Sequence, residues 1–382
     1  MKLSFTQFPR ALLRRLREKR FAYTHLIEVQ IYRQEVLHNY SIFQLKLPTL
    51  QVAPVLKSNA YGHGLVEVAR ILDTQGIPFL CVDSFFEALI LRNEGIVSPI
   101  LIIGYTPLHN LLKRDLPGVS FSLISLQELQ RAIKTINALT LLHLKIDTGM
   151  HRQGIMESEI EEAITLLKSN KHVVLEGIFS HLAEINTPHT STQIALWNKI
   201  AKRIHEAFPS LRYIHCSATA GIVHAKEIYA NTMRLGIGLY GINPGLLDLD
   251  LHPALEMRSR ISSLRTVEVG ESVGYGGTFT AENDMRIATV PAGYSEGIDR
   301  RLSNTGSLVI RDTLCPIVGA VSMNITSLDV SSIPEVSLED EVLIISKDPT
   351  APNSIERMAE LCHTIPYDLL VHIPEHLHRR VI

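Results

Sequence analysis

Charge of one sign is missing from this chain of 382 residues: 37 Lys and Arg nearly balance 39 Asp and Glu, leaving a formal −2. That balance excludes a surface built to attract nucleic acid or an acidic membrane. Cysteine is scarce, and Cys81, Cys216, Cys315 and Cys362 stand far apart with no close pair. This argues against a disulfide framework and a zinc ribbon and suits a reducing, cytoplasmic setting. No metal site is expected. Long hydrophobic runs are absent too, since none approaches the roughly 18 residues of a membrane span. The first twenty residues hold seven basic side chains and one acidic, net +6. They lack the apolar stretch and small-residue cleavage site of a secretory signal. Residues 1–22 read as a basic, solvated helical extension; a membrane-surface helix is the alternative.

Length supplies the first positive inference. Single cores stop growing near ~250–300 residues, so two domains are expected. Between about residues 50 and 240, short apolar runs alternate with amphipathic stretches. Candidate strands are Val52–Lys57, Pro78–Val82, Pro99–Ile103, Val119–Ser122, Thr140–Ile146, Val173–Ser180, Leu211–Cys216 and Thr232–Leu235. Candidate helices are Leu65–Leu72, Phe85–Arg92, Ser125–Ile136, Glu157–Lys168 and Gln193–Phe208. Eight strands alternating with helices predict a parallel sheet, closed as a (β/α)8 TIM-like barrel, with an open doubly wound sheet as the alternative. After residue 252 the runs Ser259–Val267, Met285–Pro291, Ser307–Ile310, Cys315–Val321, Thr326–Val330 and Glu341–Ile345 follow without long helices. The expected division is a basic extension over 1–22, a barrel over 23–252 and a mostly β domain over 253–382.

Barrel sites lie at the C-terminal ends of the strands, and the first strong strand runs into Lys57–Ser58–Asn59–Ala60–Tyr61–Gly62–His63–Gly64. Burial favours an uncharged amine, the form that makes an imine. Gly62 and Gly64 let the backbone turn closely around a ligand. Further segments follow in order: Lys145–Ile146–Asp147–Thr148–Gly149–Met150–His151–Arg152, Phe179–Ser180–His181, Cys216–Ser217–Ala218, Arg234–Leu235–Gly236–Ile237–Gly238–Leu239–Tyr240–Gly241, Gly274–Tyr275–Gly276, Gly293–Tyr294–Ser295–Glu296–Gly297, Ser322–Met323–Asn324 and Pro366–Tyr367–Asp368.

Taken together, these segments resemble the alanine racemase family, from about residue 24 to 371. The resemblance implies a barrel that binds pyridoxal 5'-phosphate, followed by a β domain. It implies a cofactor held as a Schiff base on Lys57, with Tyr61, His181, Ser217, Arg234, Gly236, Ile237 and Tyr367 as further cofactor contacts. Arg152 and the Met323 N–H are implied to hold the substrate carboxylate. Lys145 is implied as a candidate for carbamylation. Racemisation removes the α-proton from one face and returns it to the other, and the resemblance assigns the two faces to Lys57 and Tyr275. In the family this tyrosine reaches the other subunit's lysine, so a homodimer with shared sites is expected, working on L- and D-alanine and supplying D-alanine for peptidoglycan. Arg234 at the ring nitrogen is a donor that keeps its proton, which speaks against the same-barrel amino-acid decarboxylases. A serine or broader-specificity racemase is the nearer alternative, and Tyr275 opposes a non-catalytic cofactor carrier. The departures are His151 at a position often glycine, Cys216 for Asn, an extra glycine after Tyr275, and Ser322 and Asn324 for the commoner Cys and Asp.

Overall fold

The computed structural model describes residues 23–113, 116–245 and 248–382. The basic extension expected over residues 1–22 lies outside them. Eight parallel strands form the first layer. They are β2 (Gln51–Pro54), β3 (Leu80–Val82), β4 (Ile100–Ile102), β5 (Val119–Leu123), β6 (Thr140–Lys145), β7 (Val173–Phe179), β8 (Tyr213–His215) and β9 (Thr232–Leu235). Their spatial order is β2-β9-β8-β7-β6-β5-β4-β3. A parallel bridge from Val55 to Cys81 joins β2 to β3, so the sheet's two ends meet in a barrel. β3, β4 and β5 are buried along their whole length. Parallel strands covered by helices on one face and filled by side chains on the other require such continuous apolar runs.

The helices lie where their patterns predict. Leu65–Leu72 buries Leu65, Val66, Val68, Ala69, Ile71 and Leu72. Phe85–Asn93 starts at Ser84, whose hydroxyl accepts the Glu87 N–H while the Glu87 carboxylate reaches back, a reciprocal cap that satisfies two orphan donors. Ser125 caps Leu126–Thr135 in the same way on one side, and Pro188 opens Pro188–Ala207, its fixed φ suiting a first helical position.

The remaining strands form two antiparallel-rich sheets. One has the order β14-β13-β16-β10-β1-β17, the other β11-β12-β15. Here β1 is Glu28–Ile31, β10 Leu255–Arg260, β11 Ser263–Val267, β12 Met285–Val290, β13 Ser307–Ile310, β14 Thr313–Pro316, β15 Thr326–Asp329, β16 Glu341–Ile345 and β17 His378–Val381. The run expected as one strand over Ser259–Val267 is two, divided between the sheets. Two short helices, Ile355–Leu361 and Pro366–Val371, interrupt the β texture.

The expected start of the barrel at residue 23 needs correction. β1 pairs with β10 and β17, not with a barrel strand. Its alternation of half-buried Glu28 and Gln30 with buried Val29 and Ile31 suits a sheet with one face on the core, not a barrel stave buried on both faces. The helix Arg33–Lys46 follows at once and packs Phe43 close to Gly238 of the barrel.

Candidate active site

β2 ends at Pro54 and the bridge at Val55, so Lys57 stands beyond the strand that was expected to include it. Ser58, Asn59, Ala60 and Tyr61 then take φ of 55°, 55°, 52° and 51°. This is a full turn of left-handed backbone, which costs L-residues roughly 1–2 kcal/mol each. Four contacts offset that cost. The Ser58 N–H donates to Glu87 Oε1 at 2.7 Å, and Asn59 Oδ1 accepts the Leu65 N–H at 2.8 Å. Arg379 of β17 donates to the Gly62 carbonyl from Nη2 at 2.8 Å and Nε at 3.0 Å. Gly62 itself has φ +81°, and a Cβ there would lie 2.0 Å from the Leu370 carbonyl oxygen. The carboxylate that clamps Ser58 is the same one that caps the helix Phe85–Asn93, where Glu87 Oε2 accepts the Asp83 N–H at 2.7 Å.

The turn opens into a cavity of about 680 Å³ at the C-terminal ends of the barrel strands. Lys57, Tyr61, Lys145, Arg152 and His181 line it, with Arg234, Gly236 and Ile237 from the end of β9. Tyr367 enters from the helix Pro366–Val371, its ring centroid 5.9 Å from that of Tyr61. Burial pushes the Tyr61 hydroxyl upward from its ordinary value. Burial, with the charges of Arg152 and Arg234, pulls the Lys145 amine down to about 8; its Nζ donates to Gln153 Oε1 at 3.1 Å. His181 is driven to about 3 by burial, then Arg234 and Arg152, so its imidazole is neutral at pH 7.

Arg234 is the most constrained of these groups. Its Nη1 donates to His215 Nδ1 at 2.7 Å and the His215 carbonyl at 3.1 Å; its Nη2 donates to the Ser180 carbonyl at 2.7 Å and the Cys216 carbonyl at 3.1 Å. His181 Nδ1 lies 3.2 Å from Nη2, and the guanidinium stands over the Phe179 ring. Nε has no acceptor among the described residues. A buried cation held this way presents one fixed N–H.

Some expected residues fall elsewhere. Ser217 is buried behind the wall that Ala218, Thr219, Ala220 and Gly221 present to the cavity. The Gly236 N–H donates to Thr219 Oγ1 at 3.2 Å, as the Gly238 N–H does at 3.3 Å. Tyr275 and Met323 are 73% and 56% exposed and do not line this chain's own cavity. His151 takes φ +53°, which explains why glycine suits its position; Asp147 Oδ1 stabilises the loop by accepting the Gly149 and His151 N–H groups at 2.9 and 3.1 Å. Asn324 donates to Glu296 Oε1 at 2.7 Å, a bond an ionised aspartate could not make.

The family models for the alanine racemase N-terminal and C-terminal domains match residues 31–244 and 254–381. The chain belongs to the alanine racemase family. It is 37% identical over 345 residues to an alanine racemase of Sorangium cellulosum, covering 86% of this chain and 91% of that protein. It is 35% identical over 355 residues to one of Syntrophobacter fumaroxidans, covering 89% and 93%. Among solved structures, an alanine racemase of Clostridium difficile superposes with a TM-score of 0.86 at 29% identity, covering 94% of this chain and 96% of that one. The alanine racemase of Bacillus anthracis with bound L-Ala-P gives 0.86 at 27%, covering 95% and 96%. For a chain of this family, the sequence reading missed Thr219 as the acceptor for the Gly236 and Gly238 N–H groups and His215 as the partner of Arg234. Neither stands out by pattern, since each acts through a residue on another strand.

Proposed function

We propose that this chain interconverts L- and D-alanine with pyridoxal 5'-phosphate bound to Lys57. The observation that carries the reading is the pairing, in one cavity, of Lys57 with a buried Arg234 whose Nε has no acceptor among the described residues. The residues fit the group. Lys57 supplies the amine, Arg234 Nε an N–H for a ring nitrogen, and Gly236 a small site where a Cβ would lie 3.1 Å from Tyr61 Oη. Gly236, Ile237 and Tyr367, which line the cavity, are the candidates for the phosphate. The Gly236 N–H would share itself with Thr219.

When bound, pyridoxal phosphate supplies the electron sink that acidifies the Cα–H of an amino acid. The chain's own groups do the rest. Arg152 offers paired donors to the substrate carboxylate, with the N–H of Met323 from a second copy beside it. Lys57 Nζ takes or returns the proton on one face. Tyr275 Oη of a second copy does so on the other, so each turnover moves one proton off Cα and one on. Arg234 stays charged and donates without giving up its proton. Neutral His181 adds no further charge. Lys145 is proposed as a carbamylation site. Its neutral amine would attack carbon dioxide, lose a proton and present a carbamate to Arg152.

This reading makes the protein a homodimer with shared sites, because Tyr275 and Met323 lie outside their own chain's cavity. It places the protein in the cytoplasm, where D-alanine would supply peptidoglycan; no helix among the described residues is long and apolar enough to cross a membrane. Purified protein should be yellow and should racemise either alanine enantiomer in a chiral assay that includes serine and larger amino acids. Absence of alanine turnover in the yellow protein would refute the reading.

A further inference from the structure

The barrel interior below the cavity holds a line of polar groups that the chemistry above leaves unused. His215 Nε2 lies 3.0 Å from His143 Nδ1. His143 Nε2 faces Glu176 Oε2 at 3.7 Å, longer than a formed hydrogen bond, and has no nearer acceptor among the described residues. Arg212 Nη1 donates to Glu176 Oε1 at 2.9 Å, and Ser120 Oγ donates to the other oxygen. His143, Glu176 and His215 come from the neighbouring strands β6, β7 and β8, and all three are buried. The local backbone makes room for them. The β6–β7 pairing shifts register between Leu142 and His143, an irregularity that re-aims a side chain. A Cβ on Gly177 would lie 2.5 Å from the His143 ring. Phe79 meets the His143 ring edge-on and Phe179 stacks on His215, so the line runs between apolar walls.

Its polarity follows from the donor at one end, Arg234, and the acceptor at the other, Glu176. A guanidinium has no acceptor, so His215 Nδ1 must offer Arg234 a lone pair, and the proton of a neutral His215 then sits on Nε2. That N–H faces His143 Nδ1, which must in turn accept, and the His143 proton is left on Nε2, aimed at Glu176. Burial holds His215 well below its ordinary value and lowers His143, so both rings are neutral. Burial alone would raise Glu176, but His143, Ser120 and Arg212 outweigh it and keep the carboxylate ionised.

We propose that Glu176 is a positioning residue for Arg234: by attracting the Nε2 proton of His143 it sets the tautomers of both histidines and turns the His215 lone pair toward the guanidinium. With the order reversed, an N–H of His215 would meet an N–H of Arg234 at 2.7 Å, and the donor at the ring nitrogen would be displaced. The part in catalysis rests on the racemase reading; the tautomer order does not.

The test is long-range proton–nitrogen NMR on the full chain labelled at histidine nitrogen, with and without pyridoxal phosphate, using His143→Asn and His215→Asn to assign signals. Both rings should carry their proton on Nε2 in either state. In Glu176→Gln the amide can present its NH2 to His143, so the Nε2-protonated pattern should be lost at His143 and at His215. Loss of the hydrogen bond between charged Arg234 and His215 predicts a fall in kcat of about tenfold, with KM for alanine changed by less than about twofold. If that variant does not fold, Arg212→Gln carries the test from the surface end, with shifted imidazole signals and a fall in kcat of roughly twofold. A proton on Nδ1 of either ring in the natural chain, or a variant with unchanged tautomers and kcat, overturns the proposal. Ordered tautomers in a chain that does not racemise alanine would refute the functional reading while supporting the order itself.

Discussion

Lys57 and Tyr275, the two residues proposed to work on opposite faces of one substrate, live under opposite conditions. Lys57 opens a left-handed turn clamped by Glu87 and Arg379 and set against the main core. Tyr275 is 73% exposed between Gly274, Gly276 and Gly277, all at positive φ. Its loop rests on a small apolar cluster of Val267, Val273, Ala281, Ile287 and Val318, separate from the main core. One base is oriented by its own chain. The other has no hydrogen-bond partner for its hydroxyl among the described residues, and in the proposed dimer a second copy would complete its setting. An active site can therefore be half built by folding and half by association.

That contrast can be broken most directly at Lys57. Lys57→Ala should abolish the yellow colour and lower turnover by a factor on the order of 10⁴ or more; turnover retained without colour would end the assignment. Tyr275→Phe should keep the colour and reduce racemisation by on the order of 10²–10³-fold. Solvent deuterium should still enter one alanine enantiomer through Lys57, and equal loss of exchange in both directions would remove the division between faces. Mixed dimers of the two variants should recover part of the activity, since one of their two sites is intact; no recovery would count against sites shared between subunits.

Stability measurements sharpen the same comparison. Gly62→Ala puts a methyl against the Leu370 carbonyl in the clamped half and should cost about 3 kcal/mol in denaturant unfolding. Gly270→Ala in the β domain has φ +88° but open space around it, so it should cost about 1 kcal/mol. Equal costs would show that the clamp adds nothing beyond backbone strain. A smaller effect depends on pH. Burial lowers His63 to about 4, against an ordinary value near 6.5 in the unfolded chain. The unfolded state then takes the proton first. The contribution is complete above about pH 6.5 and is lost as pH falls toward 4, about 2 kcal/mol of it by pH 5. His63→Gln should lose less stability than the natural chain between pH 6.5 and 5, and parallel curves would contradict the burial argument.

Much of this architecture was legible in the sequence because the barrel strands are continuous apolar runs that alternate with amphipathic helical stretches. Seven of the site residues are anchored by local strings around Lys57, Arg152 and Arg234. What was hidden is geometry that only closure creates. The left-handed turn is invisible in Ser58–Asn59–Ala60–Tyr61, none of which is glycine. β1 is four residues long, and its partners lie far away at β10 and β17. The line from Arg234 through His215 and His143 to Glu176 draws one residue from each of four neighbouring strands, and no periodicity within one strand reveals such a set. The departures at His151 and Asn324 were visible as letters, but their compensations by Asp147 and Glu296 were not.

The position of β1 has a consequence for how the chain is made. During synthesis Glu28 emerges before the barrel strands, yet its neighbours Arg258 and His378 follow only after the whole barrel has been translated. Until then β1 offers two unpaired edges to whatever is nearby, on the ribosome or on another nascent chain. β17 closes the sheet around a strand made before the barrel, so a product stalled between the two would carry a finished barrel with an open, adhesive strand still unpaired.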